Sequence, residues 1–157
     1  MSETLKTVDS FTVGDRTDAV HLVTDAHLAT YAGLTGGANR LGVDGEAARA
    51  AGLAGRAVPG MLLAGYATAA LTALVAPGAV TIGHDFAFPA PARPGDTIRS
   101  VCHVESIDRE RRVVTVRMRC TTQRGDCVLD GIALEKFARP KAEGGSPGES
   151  SAGTGAS

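Results

Sequence analysis

Residues 60–76 read GMLLAGYATAALTALVA, and they are bracketed by Pro59 and Pro77. The stretch from Ala57 to Gly83 holds no charged residue, so this segment is a helix that something must enclose. A membrane span needs about 17–25 predominantly apolar residues, and this segment is at the short limit and rich in Ala, Thr and Gly. A buried core helix is therefore the expectation, entered through Val58-Pro59-Gly60.

Working outward, the segment before it reads as helical and the segment after it as extended. Phe11 to Val23 is extended with a turn at Gly14-Asp15, and Thr24 offers an N-cap hydroxyl for a helix from Asp25 to about Leu34. A glycine-dense loop follows, Thr35-Gly-Gly-Ala-Asn-Arg-Leu-Gly-Val, and Asp44 is placed to cap a short helix beginning at Glu46. After the apolar helix, Phe86 and Phe88 alternate with Asp85 and Ala87. Thr97 to Ile107 is β-branched, and Val114, Val116, Met118 and Cys120 alternate with Thr115, Arg117 and Arg119. Asp108-Arg-Glu-Arg and Gln123-Arg-Gly-Asp126 are hairpin turns, and Val128 to Phe137 is the last strand. The pattern predicts an α+β layer, one long buried helix against an antiparallel sheet.

Composition narrows the function classes. The chain of 157 residues is one domain long, and its 16 Lys+Arg against 17 Asp+Glu give a net charge of -1. That balance offers no electrostatic footprint for nucleic acid. Cys102, Cys120 and Cys127 show neither a C-x-x-C pair nor metal-ligand spacing with His21, His27, His84 and His103. No metal, cofactor, nucleic-acid or membrane partner is expected. The start lacks the basic and apolar run of a signal peptide, so a cytoplasmic location is expected. Residues 1–139 are read as a single domain. Residues 140–157 carry no large apolar side chain and are expected to form a disordered tail.

Four strings in order resemble the MaoC-like, or (R)-specific enoyl-CoA hydratase, branch of the hot-dog fold. They are Val13-Gly14-Asp15 with Val23-Thr24-Asp25-Ala26; Tyr31 to Asn39 with Asp44 and Ala47; Pro59-Gly60-Met61-Leu62; and Phe88-Pro-Ala-Pro-Ala-Arg-Pro-Gly-Asp-Thr97. The resemblance implies a sheet wrapped around the central helix, pairing as a homodimer or with a related hot-dog subunit, and an acyl thioester substrate carried on coenzyme A or acyl carrier protein. In such hydratases the loop reads Gly-Asp-x-Asn-Pro-x-His, and its Asp and His hold the water that adds to a 2-enoyl thioester. Here the Asp position is Gly37, the Pro position Arg40 and the His position Gly42; of the motif's polar side chains Asn39 alone is kept.

Two glycines cannot relay protons, while Asn39 can orient a water or a carbonyl without titrating. The family's oxyanion donor maps onto the backbone of Gly60, where free N–H groups and the helix dipole favour negative charge; Pro59 stands where many hydratases have His. Asn39, Gly60, Asp44 and His84 are thus the candidate catalytic residues. Asp44 also reads as a helix cap and His84 as a structural or surface residue. Thr35, Arg40, Met61 and Phe86 are the candidate substrate contacts. His103 has an ordinary strand position, and His21 and His27 read as solvated or capping residues. Three functions stay open: a hydratase or dehydratase acting on an acyl thioester or polyketide-type intermediate through rearranged residues, a non-catalytic subunit of a heteromeric hydratase, and a thioesterase-like activity.

Overall fold

The computed structural model describes residues 4–37 and 39–139; the expected tail, 140–157, lies outside the described residues. After a 3-10 turn at Val8–Ser10 the elements run β1 (Arg16–Leu22), α1 (Asp25–Thr35), α2 (Arg40–Val43), α3 (Gly45–Ala50), α4 (Gly60–Val75), β2 (Ala79–Ala87), β3 (Thr97–Asp108), β4 (Val113–Thr122) and β5 (Cys127–Phe137). The five strands form one antiparallel sheet in the order β1-β3-β4-β5-β2. This is the helix-on-sheet, hot-dog arrangement.

The alternation read in β4 sets the core. Val114, Val116, Met118 and Cys120 are all fully buried, and Ile98, Cys102 and Val104 of β3 join them on the same face. Against them α4 lays Leu63, Ala67, Ala70, Leu71 and Leu74. Each such Val or Leu contributes about 1.5–3 kcal/mol by leaving water. Cys102 Sγ donates to the Ala67 carbonyl at 3.6 Å, and Cys120 Sγ lies 3.2 Å from Ser100 Oγ. Burial pushes the two thiols up to about 12 and about 11 respectively, so they stay protonated and serve as small apolar groups.

The central helix differs from expectation in one respect. It is not enclosed all round: Met61, Gly65, Ala69, Thr72 and Ala73 form an exposed flank. The flank is built of mostly small side chains, with Thr72 Oγ1 donating to the Thr68 carbonyl at 2.8 Å, so its exposure leaves little apolar area in water. No helix among the described residues is long and apolar enough to cross a membrane.

Local signals end the helices where the sequence indicated. Thr24 Oγ1 accepts the His27 N–H at 3.2 Å at the start of α1, and Gly36, at φ 69°, closes it by donating to the Ala32 carbonyl. At the C-terminus of α4 the Lys6 ammonium donates to the Leu74 carbonyl at 2.7 Å, where the helix dipole favours a cation. The segment between β2 and β3 crosses the start of α4, tied by the Val58 N–H to the Ala92 carbonyl and by the Val23 N–H to the Asp96 carbonyl, both 2.9 Å.

That crossover is anchored by Asp96, which is 4% exposed. Its carboxylate accepts Arg124 Nη1 at 2.8 Å and Nη2 at 3.2 Å, Gln123 Nε2 at 3.1 Å and the Arg93 N–H at 2.9 Å. Burial alone would push this carboxyl up, but the hydrogen bonds from Arg124, Arg93 and Gln123 outweigh it and hold the pKa below the ordinary 3.8. The stability so gained is present above pH 3.8 and is lost as the pH falls through the lowered value. Arg124→Ala should lower the urea midpoint at pH 7, by less than the loss of a wholly buried pair would, because Gln123 and Arg93 still satisfy the charge; an unchanged midpoint would refute this role.

Candidate functional site

The glycine loop and the start of α4 meet at one end of the molecule. Leu28, Tyr31, Ala32, Gly37, Asn39, Gly42, Val43 and Pro59 line a single cavity of about 20 Å³, room for about one water molecule. The loop positions singled out in the sequence, 37, 39 and 42, are therefore brought together, with Pro59 as their fourth wall. Asn39 holds its place by capping α2, its Oδ1 accepting the Leu41 N–H at 3.0 Å. Gly42 is buried, and a Cβ there would stand 3.2 Å from the Ala57 carbonyl oxygen. Gly37 is open; a Cβ there would meet only Thr35 Oγ1, at 3.5 Å.

Gly60 follows Pro59 directly but faces a different space. It lines a neighbouring cleft of about 350 Å³ with Leu53, Val58, Leu63, Phe88, Ala90, Pro91 and Ala92. The N–H groups of Leu62 and Leu63 turn back onto the Pro59 carbonyl at 3.0 and 3.3 Å, and no side chain caps the helix among the described residues. The N–H groups of Gly60 and Met61 are those left at the helix start. The Phe88 ring lies over Gly60 so closely that a Cβ would approach it to 3.0 Å. A side chain at position 60 would have to push the Phe88 ring aside.

The other candidates are arranged differently from one catalytic cluster. Asp44 is occupied as a cap: Oδ1 accepts the N–H groups of Glu46 at 2.9 Å and Ala47 at 3.1 Å, and Oδ2 pairs with Arg40 Nη2 at 3.1 Å. The Ala47 hydrogen bond, then Arg40 and Glu46, hold its carboxyl below the usual range, which suits a fixed carboxylate and not a general acid. Arg40, 80% exposed at its side chain, lines neither cavity. Thr35 Oγ1 donates to the Tyr31 carbonyl at 2.8 Å and accepts the Gly37 N–H at 3.3 Å, shaping the loop. Met61 is on the exposed flank of α4. His84 and Phe86 sit together on β2, rings stacked at 4.7 Å, away from the lining of both clefts; burial pushes the His84 imidazole below its ordinary pKa.

In this region sequence reading missed Tyr66 and misjudged His21. Tyr66 of α4 is buried, its hydroxyl 2.8 Å from His27 Nδ1, and His21 stacks on its ring at 4.7 Å with Nδ1 buried and unbonded among the described residues. His21, half-buried on β1, therefore stacks on a buried tyrosine instead of lying in solvent, while His27 on α1 is exposed, as expected, and its ring reaches the same hydroxyl. Burial pushes the Tyr66 hydroxyl up.

A model of the MaoC like domain matches residues 9–124. The chain belongs to the MaoC-like domain family. This MaoC-like domain is 31% identical over 121 residues to the (R)-specific enoyl-CoA hydratase of Rhodospirillum rubrum, an alignment covering 76% of this chain and 83% of the relative. Among solved structures it is similar to the (R)-hydratase from A. caviae involved in PHA biosynthesis, with a TM-score of 0.77 and 26% identity over 82% of this chain and 98% of the other. It shares its fold with the ChsH1-ChsH2 complex from Mycobacterium tuberculosis, at a TM-score of 0.73 and 16% identity, covering 81% of this chain and 98% of the other.

Proposed function

We propose that this MaoC-like domain acts on an acyl thioester or polyketide-type intermediate in hydratase or dehydratase fashion, through a site that lacks the usual Asp and His. The carrying observation is the juxtaposition at the start of α4: Gly37, Asn39, Gly42 and Pro59 around one water-sized cavity, with Gly60, the first residue of the helix, lining the adjoining apolar cleft. Donors fixed at a helix N-terminus stabilise an enolate oxygen as it develops, and they need no reorganisation. Asn39, already held by its cap, orients a water or the thioester without itself titrating.

Mass spectrometry of the purified chain with crotonyl-CoA and 3-hydroxybutyryl-CoA tests this reading; interconversion of the two is the expected result. Absence of turnover with any enoyl or 3-hydroxyacyl thioester would overturn it. The second reading is a non-catalytic subunit of a heteromeric hydratase. It is supported by the two side-chain-free positions around the cavity and by the existence of a two-component relative of the same fold. Co-purification with a homologue that keeps the Asp and His loop is the result expected of it.

A further inference from the structure

The sheet has a second face, turned away from α4. In β3 and β4 the residues Val101, His103, Arg117 and Arg119 alternate with the buried Cys102, Val104, Met118 and Cys120. The buried set packs under the helix, with Cys102 Sγ on the Ala67 carbonyl, so the alternate set points outward. There Val101, His103, Arg117, Arg119, Thr121 and Asp130 line a cleft of about 330 Å³, the size of a small-molecule pocket. None of these residues lines either cavity at the start of α4, and the chemistry proposed there uses none of them.

The charges around this cleft are arranged at a cost to the sheet. Arg16 of β1, His103 of β3 and Arg117 of β4 are directly opposed in one cross-strand row, and Arg119 stands two residues from Arg117 on the same face. Like charges set opposite one another across strands are destabilising. Two acids beside them are already engaged: Asp130 accepts Arg117 Nε at 3.0 Å and Nη2 at 2.8 Å, and Asp18 accepts Arg99 Nη2 at 3.0 Å. Arg16 and Arg119 have no ion pair among the described residues. With Glu105, exposed at the β3 bulge, counted in, the arginines at 16, 99, 117 and 119 still outnumber the acids.

Asp130 does more than neutralise Arg117. Two parallel hydrogen bonds fix the plane of the guanidinium before any ligand arrives and leave its Nη1 side for another anion. Arg119 is uncommitted two residues on, about 6.5 Å along the strand, a span that a tetrahedral group with oxygens on several sides bridges. Guanidinium forks suit phosphoryl oxygens. A phosphomonoester carries about two negative charges at neutral pH, which matches the two arginines left without a counter-charge. A carboxylate brings one charge and two oxygens.

We propose that this outer cleft binds the phosphomonoester of a small organic molecule. Arg117 Nη1 and the Arg119 guanidinium donate to the phosphoryl oxygens, a His103 ring N–H donates a third hydrogen bond, and Arg16 adds its charge from the neighbouring strand. Val101 and Thr121 form the floor on which the organic part lies. The site stands apart from the proposed function, because it is on the opposite face of the sheet from α4.

The test is an NMR titration of the full chain at neutral pH and constant ionic strength, with phenyl phosphate, inorganic phosphate and benzoate as probes. Phenyl phosphate should give saturable shifts of the Val101 methyl and His103 ring signals and leave those of the buried Val116 in place. Inorganic phosphate should bind less tightly because it does not use the floor, and benzoate less tightly because it brings half the charge. Arg119→Gln, a change at an exposed side chain, should weaken phenyl phosphate binding about 10-fold or more. Arg16→Gln should weaken it by less, and Arg111→Gln, at the exposed β3–β4 turn, should leave it unchanged. A response that chloride reproduces, shifts that do not saturate, benzoate binding as tight as phenyl phosphate, or an Arg119→Gln chain that binds like wild type overturns the site. Inorganic phosphate binding as tightly as phenyl phosphate overturns the organic ester.

Discussion

Replacing Gly131 by alanine should cost about 3 kcal/mol or more and lower the melting temperature by roughly 10 °C. Gly131 lies in β5 between Phe86 of β2 and Met118 of β4. A Cβ there would run into the Asp85 carbonyl oxygen and fall 2.7 Å from Phe86 Cδ1. The Phe86 ring could turn, but the carbonyl belongs to the β2–β5 ladder and can yield only if the strands part. Ordinary overpacking costs about 1–3 kcal/mol because side chains absorb it; here backbone must move, and the upper end or beyond is expected. Gly83→Ala is the matched control, since its Cβ would meet Leu134 Cδ1 at an ordinary 3.5 Å. Thermal unfolding of the pair checks this, and a Gly131→Ala melting curve within a few degrees of wild type would refute the steric account.

The strands and α4 were legible because their signals are periodic. Alternation in Val114–Cys120 picks out the buried face without any tertiary knowledge, and the uncharged run around α4 marks the element that face must cover. Legibility failed where a contact depends on a distant element. α2 reads as loop because Gly42 sits inside it and glycine disfavours helix; Asn39 capping and the packing of Gly42 on Ala57 hold the turn. The open flank of α4 was hidden because Ala and Thr look the same in a core and on a surface.

The candidate site was legible as a loop and not as a cluster. Motif spacing placed Gly37, Asn39 and Gly42 together, and the cavity they share with Pro59 follows from the turn. It could not show that Gly60 faces the next cleft, because that depends on Phe88 folding over from the β2–β3 crossover. Glu135, buried on β5, was overlooked as a charged strand residue, although its parity with Ala133 and Phe137 already pointed inward. Its hydrogen-bond partner Thr81 lies 54 positions away and gives no local sign.

The Gly37→Asp/Gly42→His double variant should hydrate crotonyl-CoA about 10²–10⁴-fold faster than wild type, the usual contribution of a positioned acid and base. Both glycines wall the same cavity as Asn39, so the new side chains would meet across a space that holds about one water. The two substitutions differ in what they demand of the fold. Asp fits at 37, where a Cβ has only Thr35 Oγ1 near it, at 3.5 Å; His at 42 presses its Cβ to 3.2 Å from the Ala57 oxygen. The Ala57 N–H is itself bonded to the Leu41 carbonyl at 2.9 Å, so the chain at Ala57 and the α2 turn must shift together. Gly37→Asp should leave stability within about 0.5 kcal/mol, while Gly42→His should lose about 1–2 kcal/mol. A folded double variant that hydrates no faster than wild type would mean that the start of α4 does not present a thioester to this loop, and the proposed site would fall with it.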